Sequence, residues 1–396
     1  MISVFEAQNI IRSHAHPLQP EQVALSAALG RTLREPAVAD ADLPAFDRSA
    51  MDGYAIASQD SSTHYRIAAT IQPGQISDIT LKYGETARIF TGAAIPAGAD
   101  CVIPQELTET GDSGISFTSR PTVSYVRKRG EDSRAGDVLI QAGKILQPSD
   151  LGILASTGQA WPAVTQKPRV LHLVSGNELV EPEQIPLPGQ IRDSNSALIT
   201  ALVNKAGGTV VAQIKLADDE ASALHGARLL APGSFDILLF SGGASVGAYD
   251  FCASTLRTLG FLSHFRQVNV RPGKPLIFAS RGHQLAFGIP GNPVSHFAVF
   301  HLFIRLALVR MQGAATEAIQ LKEGHLMSPL ADEPNARETY WPASWSVTSE
   351  GKVGITPLAW NSSGHLSSLS NANALLRVPA NSPTIPAGER VQWVMV

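Results

Sequence analysis

The segment from residue 167 to residue 312 alternates short apolar runs with helical segments, and this alternation constrains the fold more than any other feature of the chain. The apolar runs include RVLHLVS, TVVAQIKL, DILLF, LIFAS and LAFGIP, with helical segments such as SNSALITALVNKAGG between them. Near-continuous apolar strands that alternate with helices predict a doubly wound, mostly parallel sheet with helices on both faces. Ligands of such sheets bind beyond the carboxyl ends of the strands, so we expect function in the loops that follow the strands.

The local pattern predicts an α/β multidomain protein in which three further domains accompany the α/β domain of residues 167–312. Residues 1–43 and 136–166 show short helical periods, and we assign them to a discontinuous N-terminal helical and linker domain. Residues 44–135 consist of short β-type runs broken by glycine and proline turns, which is typical of an inserted β domain. Residues 313–396 return to short β runs and predict a small C-terminal β-barrel or sandwich.

Several helix boundaries follow from the same reading. The apolar spacing predicts a helix over residues 3–15 and a second short helix between Val23 and Leu33. A further helix is expected around residues 149–155. In the α/β domain, Asp193 or Ser194 is the expected N-cap of the first helix, which the Gly-Gly pair at 207–208 should end.

Composition and charge exclude several classes of protein. Hydrophobic residues make up 44% and charged residues 16%, which excludes extensive disorder. The net charge of -3 disfavours binding to nucleic acid or to an anionic membrane. Cys101 and Cys252 are too few for a disulfide framework and lack zinc-site spacing, which favours a reducing, cytoplasmic compartment. Because histidines and arginines interrupt the most apolar stretch, residues 293–311, we expect no membrane span.

The string SGGASVG after the run DILLF has the composition of a phosphate-binding loop. Gly242 and Gly243 would let backbone N–H groups converge on an oxyanion, and the hydroxyls of Ser241 and Ser245 would add donors. A tight strand-to-helix turn, as found in any α/β protein, explains the same string. Asp250 opens the next helix, where its carboxylate would be either the N-cap or a Mg²⁺ ligand facing a phosphate.

Two more loops are expected at the same edge of the sheet. Residues 271–275, RPGKP, place two cations on a loop stiffened by prolines, although a solvated turn is the alternative. Residues 288–293, GIPGNP, follow the last strand, and Pro293 at a first helical position would leave free N–H groups in the cleft. Glu178, after the first strand, would share a metal with Asp250, orient water, or be an ordinary exposed turn residue.

Polar groups also cluster in the inserted β domain. The string FDRSAMDGYAI places Asp52 beside an Asp-Gly turn, where the alternative is a β-turn with the Asp52 carboxylate bonded to its own backbone. Thr91 and Asp132 lie in similar polar turns. By themselves these residues do not identify a function.

Taken together, eight strings resemble the molybdopterin molybdenumtransferase (molybdenum insertase) family, to which the C-terminal domain of gephyrin is related. In chain order they are FDRSAMDGYAI, RIFTGAAIPAGADCVIPQE, VRKRGED, VSGNELV, IRDSNS, SGGASVGAYD, RPGKP and GIPGNPVS. The resemblance covers nearly the whole chain. It implies an elongated four-domain homodimer whose active site lies between the molybdopterin-binding α/β domain of one subunit and the β insertion of its partner.

The resemblance also implies a reaction. Adenylylated molybdopterin and molybdate would be the substrates, molybdenum would pass to the dithiolene sulfurs, and AMP would leave after Mg²⁺-dependent hydrolysis. The SGGASVG loop would bind the nucleotide phosphates, and Asp236 would support that loop. Glu178 and Asp250 would serve the metal or a water. A molybdopterin adenylyltransferase and apo-molybdoenzymes would be further partners.

The resemblance assigns the remaining site residues to two places. Next to molybdate and the loop beside it would lie Lys274, Pro275, Pro290, Asn292, Pro293 and Ser295. Asp52, Thr91 and Asp132 would come from the facing subunit. The C-terminal contacts depart from the family pattern, because Tyr340 is followed by Trp341-Pro342 where an arginine is usual. A polar site near Ser363 aligns only loosely.

Three other functions remain open from the sequence. An adenylyltransferase of the same pathway shares the SGG loop, but such enzymes are usually the isolated core domain. A gephyrin-like scaffold would need no catalytic residues, whereas this chain keeps Asp52, Glu178, Asp250 and Lys274. A metal-dependent nucleotide-phosphate hydrolase would turn over ATP without molybdate.

We predict that Asp52→Ala abolishes cofactor maturation without unfolding the dimer, because the resemblance gives this turn carboxylate a role in the reaction. Maturation of a molybdoenzyme measures the first effect and gel filtration the second. A fully active Asp52→Ala variant would contradict the assignment.

Overall fold

The computed structural model describes residues 1–111, 114–117, 119–217, 220–228, 233–242, 248–316, 319–331 and 334–396. The chain divides into two compact units. Unit 1 comprises Met1–Glu35, Ala142–Gln147 and Trp161–Val396, and unit 2 comprises Pro36–Gln141 and Pro148–Ala160.

The helices of the described residues are mostly short. The α-helices are α1 (Val4–His14), α2 (Pro148–Ser156), α3 (Asn195–Lys205), α4 (Glu220–Arg228), α5 (Ala248–Thr258), α6 (Pro293–Val299) and α7 (Arg305–Met311). A π-helical segment, Phe300–Ile304, joins α6 to α7. Single 3₁₀ turns occur at Leu25–Ala27, Gln105–Leu107 and Leu366–Leu369.

The strands are numbered along the chain. In the first part they are β1 (Pro20–Gln22), β2 (Ala37–Val38), β3 (Arg48–Ser49), β4 (Gly53–Ile56), β5 (His64–Ile71), β6 (Glu85–Ile89), β7 (Cys101–Pro104), β8 (Thr108–Gly111), β9 (Gly114–Phe117), β10 (Val126–Arg127), β11 (Val138–Ile140) and β12 (Ala163–Thr165). In the second part they are β13 (Arg169–Ser175), β14 (Leu179–Val180), β15 (Ile191–Arg192), β16 (Thr209–Leu216), β17 (Ile237–Gly242), β18 (Leu262–Gln267), β19 (Val270–Arg271), β20 (Pro275–Arg281), β21 (Gln284–Pro290), β22 (Leu321–Leu326), β23 (Glu338–Val347), β24 (Val353–Pro357), β25 (Ala374–Val378) and β26 (Arg390–Met395).

Unit 1 is built on a six-stranded sheet in the order β16-β13-β17-β21-β20-β18. The first four strands are parallel, whereas β20 runs antiparallel to both β21 and β18. The predicted mostly parallel sheet is confirmed. Because β20 is reversed, it begins at the edge where β21 ends, and the loop of residues 271–275 reaches the carboxyl ends of the parallel strands.

Both faces of this sheet are buried, as the apolar strands predict. On β17, Ile237 and Leu239 belong to one core, whereas Leu238 and Phe240 belong to another, as expected for side chains that alternate along a strand. The first core also contains side chains of α1, α3 and the helical segment from α6 to α7. The second contains side chains of α5. The doubly wound arrangement is therefore confirmed.

The helical segment Pro293–Met311 is the one helix in the described part of the chain that is long and apolar enough to cross a membrane. Of its most apolar 18-residue window, 83% is buried inside the protein. These side chains pack against the sheet and against α1 and form much of the first core. Burial of the segment in unit 1 accounts for its apolar character.

The C-terminal strands close into a barrel. The order β23-β24-β22-β26-β25 is completed by a second pairing between β25 and β23, so the five strands form a closed ring. Its interior includes Trp393 and Ile355. Of the two predicted forms, barrel and sandwich, the structure shows the barrel. β19 pairs with the start of β23, and this pairing ties the 271–275 loop to the barrel.

Unit 2 contains a second six-stranded sheet, in the order β7-β4-β6-β5-β9-β8. Its two faces carry separate cores, with Ala55 and Val102 in one and Tyr54 and Ile103 in the other. The predicted β insertion is therefore all-β in the described residues, apart from one 3₁₀ turn. Unit 2 also includes α2, which we placed in the N-terminal domain. The division into four domains stays a prediction.

Most local predictions are confirmed, and one is wrong. α1 begins with a capping box formed by Ser3 and Glu6, which fixes the predicted helix. Ser194 occupies the N-cap position of α3, but the capping bond comes from Asp193, whose Oδ1 accepts from the Ser196 N–H. Between Val23 and Leu33 we expected a helix, yet only one 3₁₀ turn forms there. The backbone of this segment instead bonds to the chain around residues 144–146 and 162–163.

Gly207 ends α3 with φ +80°, and a Cβ there would lie 2.4 Å from Gln312 Oε1. Gly207→Ala should therefore lower the free energy of unfolding by about 1 to 2 kcal/mol, because alanine disfavours the left-handed backbone. Loss of the bond from Gln312 to the Ala206 carbonyl should lower it by about 1 to 3 kcal/mol more. Gly189→Ala is the matched control, with φ +87° and no neighbour within 4 Å. Denaturant midpoints measure both, and equal losses would contradict the role of Gln312.

Candidate functional site

A cavity of about 410 Å³ lies at the carboxyl edge of the unit 1 sheet. The ends of three parallel strands contribute Ser175, Gly242 and the turn after β21 to its wall. The other described lining residues are Val174, Glu178, Leu179, Ile191, Arg192, Ser194, Asn195, Ser241, Gly291, Asn292, Pro293, Gly364 and Leu366. The strand ends therefore meet where the sequence predicted.

A second cavity, of about 260 Å³, adjoins the first through Asn292, which lines both. It contains the 271–275 loop and the predicted residues Lys274, Pro275, Pro290 and Ser295. None of the described residues that line this second cavity carries a carboxylate. The two cavities together bring the predicted loops around Ser241, Lys274 and Asn292 to one edge. Gly243 and Ser245 lie outside the described residues.

Three cations converge on the second cavity. Arg271 and Lys274 come from the loop, and Arg337 lies just before β23. The Arg271 guanidinium lies 5.0 Å from the centre of the Trp360 ring, which holds it by a cation–π contact. Burial lowers the pKa of Arg337, and repulsion from Arg271 adds to this shift. A bound anion would relieve this repulsion, so the cavity is suited to anions.

The sequence did not predict Arg337, because the family resemblance places the usual arginine shortly after the aromatic residue, here Tyr340. Tyr340 is buried, and its hydroxyl donates to Glu338 at 2.9 Å. Burial raises the pKa of Tyr340. Arg337, three residues earlier, reaches the cavity because β19 and β23 are paired. Ser363, which aligned loosely, lines the same cavity beside Ser362.

The turn after β21 is held by the C-terminal region. Asn292 Nδ2 donates to Ser363 Oγ at 2.9 Å, and the Val294 N–H donates to the Ser363 carbonyl at 3.0 Å. Pro293 does open α6, as predicted. The prediction that the following N–H groups are free is wrong for Val294, because Ser363 takes that donor.

Two buried polar atoms in the first cavity wall have no partner among the described residues. These atoms are Ser175 Oγ and Asn195 Oδ1. A Cβ on Gly242 would lie 2.0 Å from Ser175 Oγ, so a larger residue there would displace the Ser175 side chain. Asn195 Nδ2 meanwhile donates to the Gly291 carbonyl at 2.6 Å. The sequence motifs predict a role for neither residue, although Ser175 lies in the string VSGNELV and Asn195 in the string IRDSNS.

Ser241 is buried under this wall between two histidines. His172 Nε2 lies 2.6 Å from Ser241 Oγ, and His296 Nε2 lies 3.0 Å from it. On the far sides, Gln213 Nε2 lies 2.8 Å from His172 Nδ1, and His296 Nδ1 lies 3.2 Å from the Asn292 carbonyl. This chain of five residues crosses from β16 to the turn after β21.

Both histidines are neutral at physiological pH. Burial lowers the pKa of His172 to about 3; repulsion from His296 adds to the shift, and Asp193 opposes it. Burial also lowers the pKa of His296 to about 4, against opposing effects of the Asn292 carbonyl and Asp193.

The predicted acidic residues are distributed differently from our expectation. Glu178 is exposed and is the one described carboxylate of the first cavity wall. Asp236 lies at the opposite end of β17, roughly 20 Å from Gly242 at about 3.3 Å per residue. There it accepts from the backbone N–H and guanidinium of Arg169. The prediction that Asp236 supports the glycine loop is therefore wrong. The structure describes the backbone of Asp250 in α5 and not its side chain.

Within the described ranges, no group of three or more His, Cys, Asp or Glu residues is arranged to hold a metal ion. Mg²⁺ usually keeps several waters and takes one or two carboxylates together with substrate phosphate oxygens. Glu178 at a cavity wall fits that limited donor set, and Asp250 stays the second predicted ligand.

In unit 2, Asp52 and Thr91 are brought together. Asp52 precedes β4 and Thr91 follows the antiparallel β6, so both lie at one end of the sheet. The backbone N–H and hydroxyl of Thr91 each donate to Asp52 Oδ1 at 2.8 Å, and these bonds lower the pKa of the Asp52 carboxyl. The alternative prediction is a β-turn in which the Asp52 carboxylate bonds to its own backbone. The structure instead shows bonds to this carboxylate from Thr91. Asp132 instead accepts from Arg127 Nη2 at 2.5 Å.

Comparison with known proteins agrees with this architecture. The family model described as the MoeA N-terminal region (domain I and II) matches residues 2–158, and that of a probable molybdopterin binding domain matches residues 172–310. The model described as the MoeA C-terminal region (domain IV) matches residues 325–396. A molybdopterin molybdenumtransferase of Staphylococcus aureus is 31% identical over 404 aligned positions, which cover 100% of this chain and 95% of the relative.

The chain belongs to the molybdopterin molybdenumtransferase family. Molybdopterin molybdenumtransferase 2 of Mycobacterium tuberculosis is 32% identical, with 99% of each chain covered. A crystal structure of the molybdopterin biosynthesis MoeA protein from Pyrococcus horikoshii superposes with a TM-score of 0.83 at 28% identity, with 100% of both chains covered. The chain is therefore a molybdenumtransferase with a role in molybdenum cofactor biosynthesis.

The buried histidines should make the stability of unit 1 sensitive to acid. Below about pH 6.5, the ordinary pKa of histidine, the unfolded chain binds protons that folded His172 and His296 do not, so stability falls as the pH drops. At pH 5 the loss is on the order of 2 kcal/mol for each histidine. Denaturant unfolding at pH 8 and pH 5 should show a smaller pH effect in the double variant His172→Gln/His296→Gln. The same pH effect in both proteins would contradict this explanation.

Proposed function

We propose that the protein inserts molybdenum from molybdate into adenylylated molybdopterin, with Mg²⁺-dependent hydrolysis and release of AMP. The observation that carries this proposal is the pair of cavities that share Asn292. One has three cations and no described carboxylate in its wall, and the other has the end of β17 and Glu178. A reaction between two anionic substrates needs two such sites side by side.

The second cavity supports the molybdate part of the proposal. Molybdate is a tetrahedral dianion, and charge-assisted hydrogen bonds from cations are the strong contacts available to it. Lys274 and Arg337 supply positive charge to this cavity, and Ser295 supplies a hydroxyl. Arg271 stays over Trp360, and the prolines of the loop limit the entropy lost on binding.

The first cavity supports binding of a nucleotide phosphate. Gly242 lets the chain approach Ser175 closely, and the buried Ser175 hydroxyl, which has no partner among the described residues, can donate to a phosphate oxygen. A cavity of about 410 Å³ is within the range of ligand sites. By resemblance, Gly243 and Ser245 would complete the loop.

A metal ion would act at this wall. Bound Mg²⁺ would neutralise negative charge on the phosphate oxygens. Glu178 would hold it, with Asp250 as the second ligand in the family pattern, or would orient the attacking water. The carboxylate of Glu178 is exposed, so both ion and water can reach it.

The assembly and setting of the enzyme are part of the same proposal. A homodimer would let Asp52, Thr91 and Asp132 of the facing subunit complete the site. The bonds from Thr91 keep the Asp52 carboxylate ionised and fixed. We place the enzyme in the cytoplasm, with molybdopterin adenylyltransferase before it and apo-molybdoenzymes after it. We expect no nucleic-acid or membrane partner.

Two alternatives are less well supported. An adenylyltransferase would not account for a match along the whole chain, including the N-terminal and C-terminal regions. A scaffold without catalysis would not account for cations gathered at a cavity in line with the carboxyl ends of the strands.

The proposal predicts that Lys274→Ala and Arg337→Ala each raise the KM for molybdate at least tenfold, because each removes a charge-assisted contact. The assay is AMP release from adenylylated molybdopterin with Mg²⁺ and increasing molybdate. Lys352→Ala removes the same charge from an exposed residue of the barrel that bonds Glu350, and it should change the KM less than twofold. AMP release that needs no molybdate, or equal effects of the three variants, would contradict the proposal.

A further inference from the structure

The chain of hydrogen bonds through Ser241 has only one consistent direction at neutral pH. The Gln213 amide N–H can only donate, so His172 Nδ1 accepts and its proton lies on Nε2. His172 Nε2 then donates to Ser241 Oγ. The Ser241 hydroxyl donates in turn to His296 Nε2, whose other nitrogen donates to the Asn292 carbonyl.

This direction uses the hydroxyl proton of Ser241 inside the protein. Ser241 is 2% exposed and the two histidines are fully buried, so water does not compete for these bonds. The sequence-based expectation that the Ser241 hydroxyl donates to a phosphate therefore does not agree with the contacts. The side chain faces the histidines, and the cavity is left with the backbone at the end of β17.

We propose that His172 and His296 are positioning residues that lock the end of β17 to the Asn292 turn and so fix the shared wall of the two cavities. This inference rests on the proposed function only for its effect on substrates. The relay connects three neighbouring elements of the site, namely the middle of β13, the end of β17 and the turn before α6. Each bond has a partner of matching polarity, so the arrangement is fully satisfied without any charge.

The groups around the relay favour this neutral form. On β16, Gln213 also donates to the Ser196 carbonyl, which fixes its amide. At the start of α3, the Asp193 carboxylate is already occupied by Ser196, whose N–H donates to Oδ1 and whose hydroxyl donates to Oδ2. A protonated histidine would lose the acceptor nitrogen that the relay needs.

The first experiment is independent of the reaction. Nitrogen-15 NMR of the full chain should show His172 protonated at Nε2 and His296 at Nδ1, unchanged between pH 6 and pH 9. The opposite or mixed tautomers would overturn the relay.

The second experiment tests the lock. His296→Leu removes the acceptor for Ser241, and amide hydrogen exchange at residues 237–242 and 288–293 should rise about tenfold, the equivalent of one buried hydrogen bond. His296→Gln keeps an acceptor oxygen and should restore most of the protection. His264→Leu is the matched control, because His264 Nε2 makes a similar contact of 2.7 Å with Ser280 Oγ on the same sheet. Unchanged exchange in His296→Leu would overturn the proposal.

Binding of AMP then separates a positioning role from a structural one. In His296→Leu the Kd for AMP should rise about tenfold with one site per chain retained, whereas a merely structural defect would lower the number of sites at unchanged Kd. If His296→Leu does not fold, Ser241→Ala breaks the same link with less change in volume. Faster exchange with unchanged AMP affinity would overturn the positioning role.

If the wild-type protein neither binds nor releases AMP, the proposed function fails. The exchange and NMR results still decide whether the relay exists.

Discussion

The direction of the strands in the six-stranded sheet is the constraint on which the rest of unit 1 depends. Because β13, β17 and β21 are parallel, their carboxyl ends share one edge, and because β20 is reversed, its first residues lie at that edge too. The 271–275 loop would otherwise begin a strand at the far side of the sheet. The strand directions thus bring a cationic loop and a glycine-containing strand end to the same edge of the sheet.

Acidic and basic side chains are distributed unevenly between the two cavities at that edge. Lys274 and Arg337 gather in one cavity, Glu178 lies in the other, and neutral Asn292 stands between them. A carboxylate beside the cations of the second cavity would weaken their field. In the first cavity Arg192 lines the same wall as Glu178, and its Nε donates to the Gln184 carbonyl at 3.0 Å. The barrel contributes to this uneven distribution, because pairing between β19 and β23 brings Arg337 to the loop.

Local pattern was enough to predict much of the fold and part of the site. Period-two and period-3.6 apolar spacing identified the sheet, α1 and the barrel strands, and glycine and proline marked the loops at the edge. The errors concern contacts between residues far apart in sequence. Asp236 pairs with Arg169, 67 positions away, and Arg337 depends on a strand pairing that no short motif shows. The segment after Val23 has helical spacing, but its backbone bonds to distant chain instead.

The buried serine shows why a motif can be identified correctly and its chemistry misread. The string SGGASVG predicts that the Ser241 hydroxyl donates to a phosphate. In the structure this hydroxyl instead bonds to two histidines, His172 and His296, that the string does not contain. At this wall the Ser175 hydroxyl has no partner among the described residues, so it is available to donate to a ligand. Such a donor recognises an anion only if the backbone that carries it is held still. A neutral relay achieves this without placing a charge near the substrate, whereas a buried ion pair at the same position would cost desolvation energy and alter the field that the cations create.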